Sequence, residues 1–359
     1  MKKKPVLLVI ASMILGLLVG CGGEVEETAE EAPSIEEKVQ EAEEEPESEE
    51  ADGKASKAFI SVGYAQVGHE SDWRTANTRN YQEVFSEVNG YELTFAECDN
   101  DSETQMKAVR SFIEKGLDYI IIAPIETAGW DAVLQEAQDA GIPVIITERQ
   151  IEASTDLYAA WVGTDMENEG VTAGKWLAEK LNGENANILV IEGSAGEFAT
   201  LGRTEGFKKI AAEHSEWTIL DSQSGAFTKD GGQKVMESFI KEYEGQFNVV
   251  VCQNEEEAYG AMDAMDEADI KYGVDGDVIL ITYNATRDGL THTIDGKINC
   301  NVGCNPFQAE TVADLIQAMN KDESFEATTF VADEAFVAGK TTSKYAITMT
   351  EDVLKARKY

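Results

Sequence analysis

From residue 58 onward the chain alternates between short continuous apolar runs and longer segments whose apolar residues recur every three or four positions. The first pattern suits strands buried on both faces, the second amphipathic helices. It predicts a strand over 58–67, a helix over 72–88, a strand over 91–97 and a helix over 102–115, with Met106, Val109, Phe112 and Ile113 at helical spacing. The run 119–123 stops at Pro124, a helix follows over 127–140 with Gly141 at its C-cap, and 142–147 is the next strand. A second series predicts helix 167–181, strand 188–192, helix 197–213, strand 217–223, helix 229–243, strand 249–253, helix 256–268, strand 278–283 and a helix from about 286. Such alternation builds parallel sheets with right-handed crossovers. The expected fold class is α/β, two doubly wound parallel-sheet lobes joined by a hinge. The ligand cleft should lie between them, at the carboxyl ends of the strands.

The first 57 residues break this alternation. Lys2, Lys3 and Lys4 precede an apolar run over 5–18 that is short for a membrane span, and the run ends in Leu18-Val19-Gly20-Cys21. This resembles the bacterial lipobox, so 1–20 is expected to be a lipoprotein signal peptide and Cys21 the lipidation site. A diacylglycerol with a further acyl chain would anchor the protein durably, where one chain alone is marginal. Residues 24–53 hold 15 acidic side chains against Lys38 alone. With Pro33, Pro46 and few large apolar groups, the stretch 21–57 is expected to be a disordered acidic tether, spanning roughly 30 Å.

The formal charge is −39, from 68 Asp and Glu against 29 Lys and Arg. Setting aside the tether's −14 and the leader's +3 leaves −28 on residues 54–359. A surface this acidic repels a phosphate backbone, which excludes a general nucleic-acid binder. Cys98, Cys252, Cys300 and Cys304 admit three disulfide connectivities or free thiols. Cys300 and Cys304 would share a face of a strand and have no His or CxxC partner for zinc, which favours small buried hydrophobes. His69, His214 and His292 are scattered, HExxH is absent, and no GxGxxG follows the first strand. No catalytic or metal set is legible, and no cofactor is expected.

Several segments, in order, carry a resemblance. They are VGYAQVGHESDWR at 62–74, QMKAVRSF at 105–112, IAP at 122–124, Gly129-Trp130, GIPV at 141–144, SQSG at 222–225, Phe227-Thr228 and VMESFI at 235–240. Over about residues 58–325 the body resembles the ribose/galactofuranose branch of sugar-binding proteins that serve ABC importers, with the type I periplasmic-binding-protein fold. The resemblance implies one lobe of 58–162 and 305–334, another of 163–304 and 335–359, and chain crossings near 162–165, 304–306 and 333–336. It also implies a ligand set: Glu70, Ser71, Asp72, Trp73 and Arg74 in the first loop, Glu148 and Arg149 after the strand 142–147, then Arg203, Asn254 and Asn284. The chemistry agrees, since forked guanidinium groups and carboxylates suit sugar hydroxyls and the Trp73 face suits the C–H face of the ring. Asp72 also suits a helix N-cap, and Glu255, Glu256 and Glu257 suit the positive end of a helix.

Three positions depart from the branch. Glu148 replaces the usual Asp before Arg149, Asn284 replaces an Asp, and Asn254-Glu255-Glu256 replaces Asn-Asp-Asp. These changes shift the hydroxyl contacts away from those for galactofuranose while leaving a small polar sugar, and the lost acid suits a ligand bearing a carboxylate. The resemblance implies an extracytoplasmic monomer, tethered through Cys21, that closes on a sugar and docks on an ABC permease. The alternative is presentation of the sugar to a sensor kinase or chemoreceptor. A glycoside hydrolase would need two positioned carboxylates, and nothing in the sequence positions them.

Overall fold

The computed structural model describes residues 59–69, 71–339 and 342–359. The leader, Cys21, the acidic tether and Glu70 lie outside the described residues. The first lobe opens with β1 (Ile60–Gln66), α1 (Asp72–Val84), β2 (Tyr91–Glu97), α2 (Ser102–Glu114), β3 (Tyr119–Ile122), α3 (Asp131–Asp139), β4 (Val144–Thr147) and β5 (Ala160–Gly163). The second comprises α4 (Met166–Leu181), β6 (Ala186–Glu192), α5 (Phe198–Ala211), β7 (Trp217–Ser224), α6 (Lys229–Glu242), β8 (Val249–Cys252), α7 (Glu255–Glu267), β9 (Ile279–Asn284), α8 (Arg287–Ile294) and β10 (Cys300–Gly303). The chain then returns through α9 (Ala309–Asn320) and β11 (Thr328–Phe330), and ends in β12 (Ala335–Val337), β13 (Ile347–Thr348) and α10 (Glu351–Ala356).

Two sheets result, ordered β11-β5-β4-β3-β1-β2 and β13-β12-β10-β9-β8-β6-β7. The five strands β5-β4-β3-β1-β2 and β10-β9-β8-β6-β7 share one order, so each sheet reverses direction of winding at one point, between β1 and β3 and between β6 and β8. Pairing is parallel except between β10 and β12. The fold class is therefore the expected one, two α/β lobes.

Strands buried on both faces explain the continuous apolar runs. In β3, Tyr119 and Ile121 join α1 and α9 on one side, while Ile120 and Ile122 join α2 and α3 on the other. In β8, Val249 and Val251 face α4 and α5, and Val250 and Cys252 face α6 and α7. The four cysteines at 98, 252, 300 and 304 are all free thiols, each buried. Two helix boundaries move inward by four residues from the predicted ones. The first helix stops at Val84, and a short turn of 3₁₀ helix takes Glu87–Asn89. The third starts at Asp131 because Gly129 takes φ +91° and the Trp130 indole N–H donates to the Glu126 carbonyl.

The chain passes between the sheets three times, after β5, after β10 and after β11. These passes are laced to one another. The Val331 N–H donates to the Gly163 carbonyl at 2.7 Å, the Gly303 N–H to the Glu334 carbonyl at 2.7 Å, and the Asn305 N–H to the Asp333 carboxylate.

Helices α4 and α5 pack backbone to backbone through glycines. A Cβ on Gly206 would lie 1.9 Å from the Glu167 carbonyl oxygen, and one on Gly170 would lie 2.3 Å from that of Arg203. This closeness brings the Arg203 guanidinium onto Glu169. Gly206→Ala should therefore cost about 1–3 kcal/mol or more, read as a lowered urea midpoint; an unchanged midpoint would show that the helices tolerate a wider spacing.

Candidate ligand-binding site

The carboxyl ends of the two sheets face one another across a cleft that encloses a cavity of about 80 Å³. Trp73, Arg74, Glu148 and Arg149 line it from the first lobe, and Arg203, Phe227, Asn254 and Asn284 from the second.

Helix α1 positions the first group. Ser71 caps it, its hydroxyl accepting from the Arg74 N–H at 3.1 Å, so Asp72 falls in the first turn rather than at the cap. Arg74 is only 2% exposed and forks onto Glu148, Nη2 reaching Oε1 at 2.8 Å and Nη1 reaching Oε2, while Nη1 also reaches the Gln66 amide oxygen at 3.2 Å. Glu148 follows β4 in the left-handed region, φ +64°, a strain typical of residues that a site holds in place. Its other neighbour is Arg149, 3.4 Å away. Burial alone would raise the Glu148 pKa; the charges of Arg74 and Arg149 reverse this and hold the carboxyl below its ordinary value. Arg149 then reaches across the cleft to Glu197 at 3.3 Å. The Trp73 indole N–H also spans the lobes, donating to the Cys304 carbonyl, and the Arg74 guanidinium lies 4.9 Å over its ring.

In the second lobe Arg203 is fully engaged. Its Nε donates to Glu169 at 2.7 Å, Nη1 to the Gln253 carbonyl and Nη2 to the Asn284 side-chain oxygen at 3.3 Å, and its guanidinium stacks 4.8 Å over Tyr283. Burial opposes the Arg203 charge, and adjacent Glu169 outweighs that, so the guanidinium is more firmly protonated than a free one. Asn254 caps α7, its Oδ1 accepting from the Glu257 N–H at 2.8 Å while its amide donates to the Phe227 carbonyl at 2.9 Å.

Three guanidinium groups thus meet three carboxylates, Arg74 with Glu148, Arg149 with Glu197 and Arg203 with Glu169. Among the described residues the pairing leaves no guanidinium on the cavity wall without a carboxylate.

Of the residues expected from the sequence, Ser71, Trp73, Arg74, Glu148, Arg149, Arg203, Asn254 and Asn284 come together at the cavity. Asp72 is exposed and sits in a neighbouring crevice opposite Glu256, whose pKa is raised by burial and by the Asp72 charge. Phe227 and Glu197 had no sequence expectation as site residues. Phe227 has a signal in retrospect: it follows a strand end, with Gly225 before it and the helix cap Thr228 after it. Its ring fills the space over Gly193, where a Cβ would approach it to 1.9 Å. Ala226 and Phe227 both take positive φ, 56° and 59°. Their loop is held by Glu257, whose Oε1 accepts from the Phe227 N–H at 2.9 Å.

Glu255 and Glu257 begin α7 as expected, but they point inward and are buried. Glu257 faces no cation at bonding distance, and its Oε2 has no hydrogen-bond partner. Burial pushes it up to about 8 against its backbone hydrogen bonds, and pushes Glu255 up to about 7 and Asp333 up to about 8. A raised folded-state pKa means that the folded protein keeps protons which the unfolded chain has already released. Their stabilisation is full below about pH 4 and is lost as pH rises to about 8. The thermal midpoint should therefore fall between about pH 5 and pH 8, and Glu257→Gln should flatten part of that slope. A midpoint that does not change over this range would show these acids ionised in the folded protein.

The sequence profile of the Periplasmic binding protein domain family matches residues 62–323. The galactofuranose-binding protein YtfQ of Escherichia coli (strain K12) is 36% identical over 268 residues, 74% of this chain and 83% of that protein. A solved structure from Mycobacterium smegmatis, in complex with beta-D-fucofuranose, is 39% identical with a TM-score of 0.72, covering 77% of this chain and 91% of that one. The periplasmic binding protein component of the arabinose ABC transporter from Shewanella sp. ANA-3, bound to alpha- and beta-L-arabinofuranose, is 35% identical with a TM-score of 0.73, covering 77% and 91%. With two like-ordered sheets facing across one cleft, and a profile match that runs from β1 to just past α9, the chain belongs to the periplasmic binding protein family.

Proposed function

We propose that this chain is the sugar-capturing component of an ABC importer, a monomer held outside the cytoplasm by lipid on Cys21, and that its cleft takes a small neutral sugar in the furanose form. The charge-matched cavity wall carries the reading: guanidinium forks and carboxylates offer planar donors and acceptors to hydroxyls, with no net charge left to attract an anion. Trp73 and Phe227, one from each lobe, supply apolar faces for the C–H side of the ring. The three similar proteins above carry furanose sugars in their names, which supports the ring form.

Ser71, Trp73, Arg74, Glu148, Arg149, Arg203, Asn254 and Asn284 are the proposed contacts, with Asp72 at the rim and Glu70 proposed from the resemblance alone. The lobes 58–162 with 305–334 and 163–304 with 335–359 close about the three crossings, and the Arg149–Glu197 pair forms as they meet. The protein binds without turnover and hands the sugar to a permease. The acidic tether 21–57 holds the body clear of the membrane.

A thermal-shift screen of D-galactose, D-fucose, L-arabinose and D-fructose against D-galacturonate tests the ligand class. A neutral sugar should raise the midpoint by several degrees and the uronate should not; uronate preference, or no shift with any sugar, would sink the reading. In calorimetry, Arg149→Ala should weaken the preferred sugar by about 2–3 kcal/mol, since hydroxyls that bonded a charged group lose their partner. Cys21→Ser should move the protein from the membrane fraction to the soluble one; retention at the membrane would place the anchor elsewhere.

A further inference from the structure

The last residues of the sequence touch the back of the site just described, although they lie far from it along the chain. Helix α10 packs Val353 and Leu354 against Leu290, Phe336 and Met349 of the second lobe. Just beyond it, Arg357 turns inward. Its Nε donates to the carbonyl oxygen of Ala285 at 2.8 Å, the residue that follows cavity-lining Asn284. Its guanidinium lies 5.0 Å from the Phe336 ring and 3.9 Å from the Tyr359 ring, and Nη2 donates to the Tyr359 hydroxyl. Tyr359 in turn meets Phe307 edge-on, 5.0 Å away, in the segment that leads back into the first lobe.

The turn that Arg357 grips needs gripping. Asn284 takes φ +113° and Ala285 φ +50°, conformations that L side chains disfavour, so neighbours must hold the turn in place. The Ala285 N–H donates to the Asn301 side-chain oxygen at 3.0 Å. The Thr286 N–H and hydroxyl both donate to Glu255, at 3.0 and 2.6 Å. The Ala285 carbonyl has Arg357. Asn284 projects from this turn to accept from Arg203 Nη2, so an error in the turn passes directly into the cavity wall.

We propose that Arg357 is a positioning residue of the ligand site: through the Ala285 carbonyl it fixes the strained Asn284 turn, and through Tyr359 and Phe307 it ties that turn to the crossing segment between the lobes. Its role in binding rests on the sugar-binding reading above, and its role in holding the turn does not. The cation is shared between two tasks. The guanidinium plane is stacked on rings, and the Nε–H alone serves the carbonyl. Lysine has a single ammonium, which cannot both lie over the rings and donate to the Ala285 carbonyl as the guanidinium does, and this makes Arg357→Lys the informative substitution and Arg357→Ala the severe one.

Hydrogen–deuterium exchange on the full chain, with wild type, Arg357→Lys and Arg357→Ala compared without ligand, reads the turn directly. The Ala285 and Thr286 amides should exchange about ten-fold faster in Arg357→Lys while the rest of the second lobe and the thermal midpoint stay near wild type. The affinity for the neutral sugar that wild type binds best should weaken about ten-fold in the same variant. Unchanged exchange at these two amides in a folded Arg357→Lys overturns the proposal, and so does faster exchange spread evenly over the lobe, which would mark a merely structural role. If wild type binds no sugar of the panel, the sugar-binding reading fails, and the exchange comparison still decides whether Arg357 holds the turn.

Discussion

A buried guanidinium must find a carboxylate, and here Arg74 and Arg203 do so within one cleft, with the half-buried Arg149 between them. Removing ions from water costs several kcal/mol each, and only close, well-formed pairs return that cost. The arrangement of the cleft follows. Arg74 and Glu148 come from different elements of the first lobe, an early helix and a late strand end, so their fork holds α1 against the end of β4. Arg203 and Glu169 do the same for α5 and α4, and the glycine contacts between those helices exist at the distance that the pair requires. Arg149 meets Glu148 within its own lobe and Glu197 across the cleft, and the second of these contacts exists only when the lobes face one another.

Much of this was legible in the sequence. Continuous apolar strands, amphipathic helices and their alternation lead to two parallel α/β lobes without any knowledge of contacts. The candidate ligand set comes from the resemblance to the sugar-binding branch and not from periodicity, and eight of its ten residues line the cavity. What was not legible depends on burial and on distance in space. Glu255 and Glu257 read as dipole-favoured acids at a helix start, and their burial leaves no local trace: the turn at 284–286 takes both oxygens of Glu255, and Phe227 takes one of Glu257. Glu197 reads as one acid among 68, and only the approach of the other lobe shows it as the partner of Arg149. The strand β5, Ala-Trp-Val-Gly, lacks the run of branched apolar residues that marks the equally short β3, β4 and β8. The contact of Arg357 with Ala285 spans 72 residues and leaves no local trace.

The departures from the sugar-binding branch acquire a physical sense in the structure. The longer arm of Glu148 lets one carboxylate serve Arg74 and Arg149 together. Asn284, where the branch has an acid, offers Arg203 a neutral oxygen, and the Arg203 charge is met by Glu169 instead. Changing the residue types at these positions keeps the charges matched and redistributes the hydrogen-bond donors and acceptors that a ligand meets. On the proposed reading, selectivity rests on where the ligand's hydroxyls point, because the described guanidinium groups of the wall are all paired.

The three laced chain passes between the sheets carry a mechanical consequence. Two bodies joined by a single strand can twist, slide and swing. Joined by three strands that are hydrogen-bonded side by side, they keep one easy degree of freedom, rotation about a line through the lacing. Every residue on one rim therefore travels along a fixed arc and arrives opposite the same residue on the other rim. A door on one pin sags; on three aligned pins it meets its frame at the same place each time.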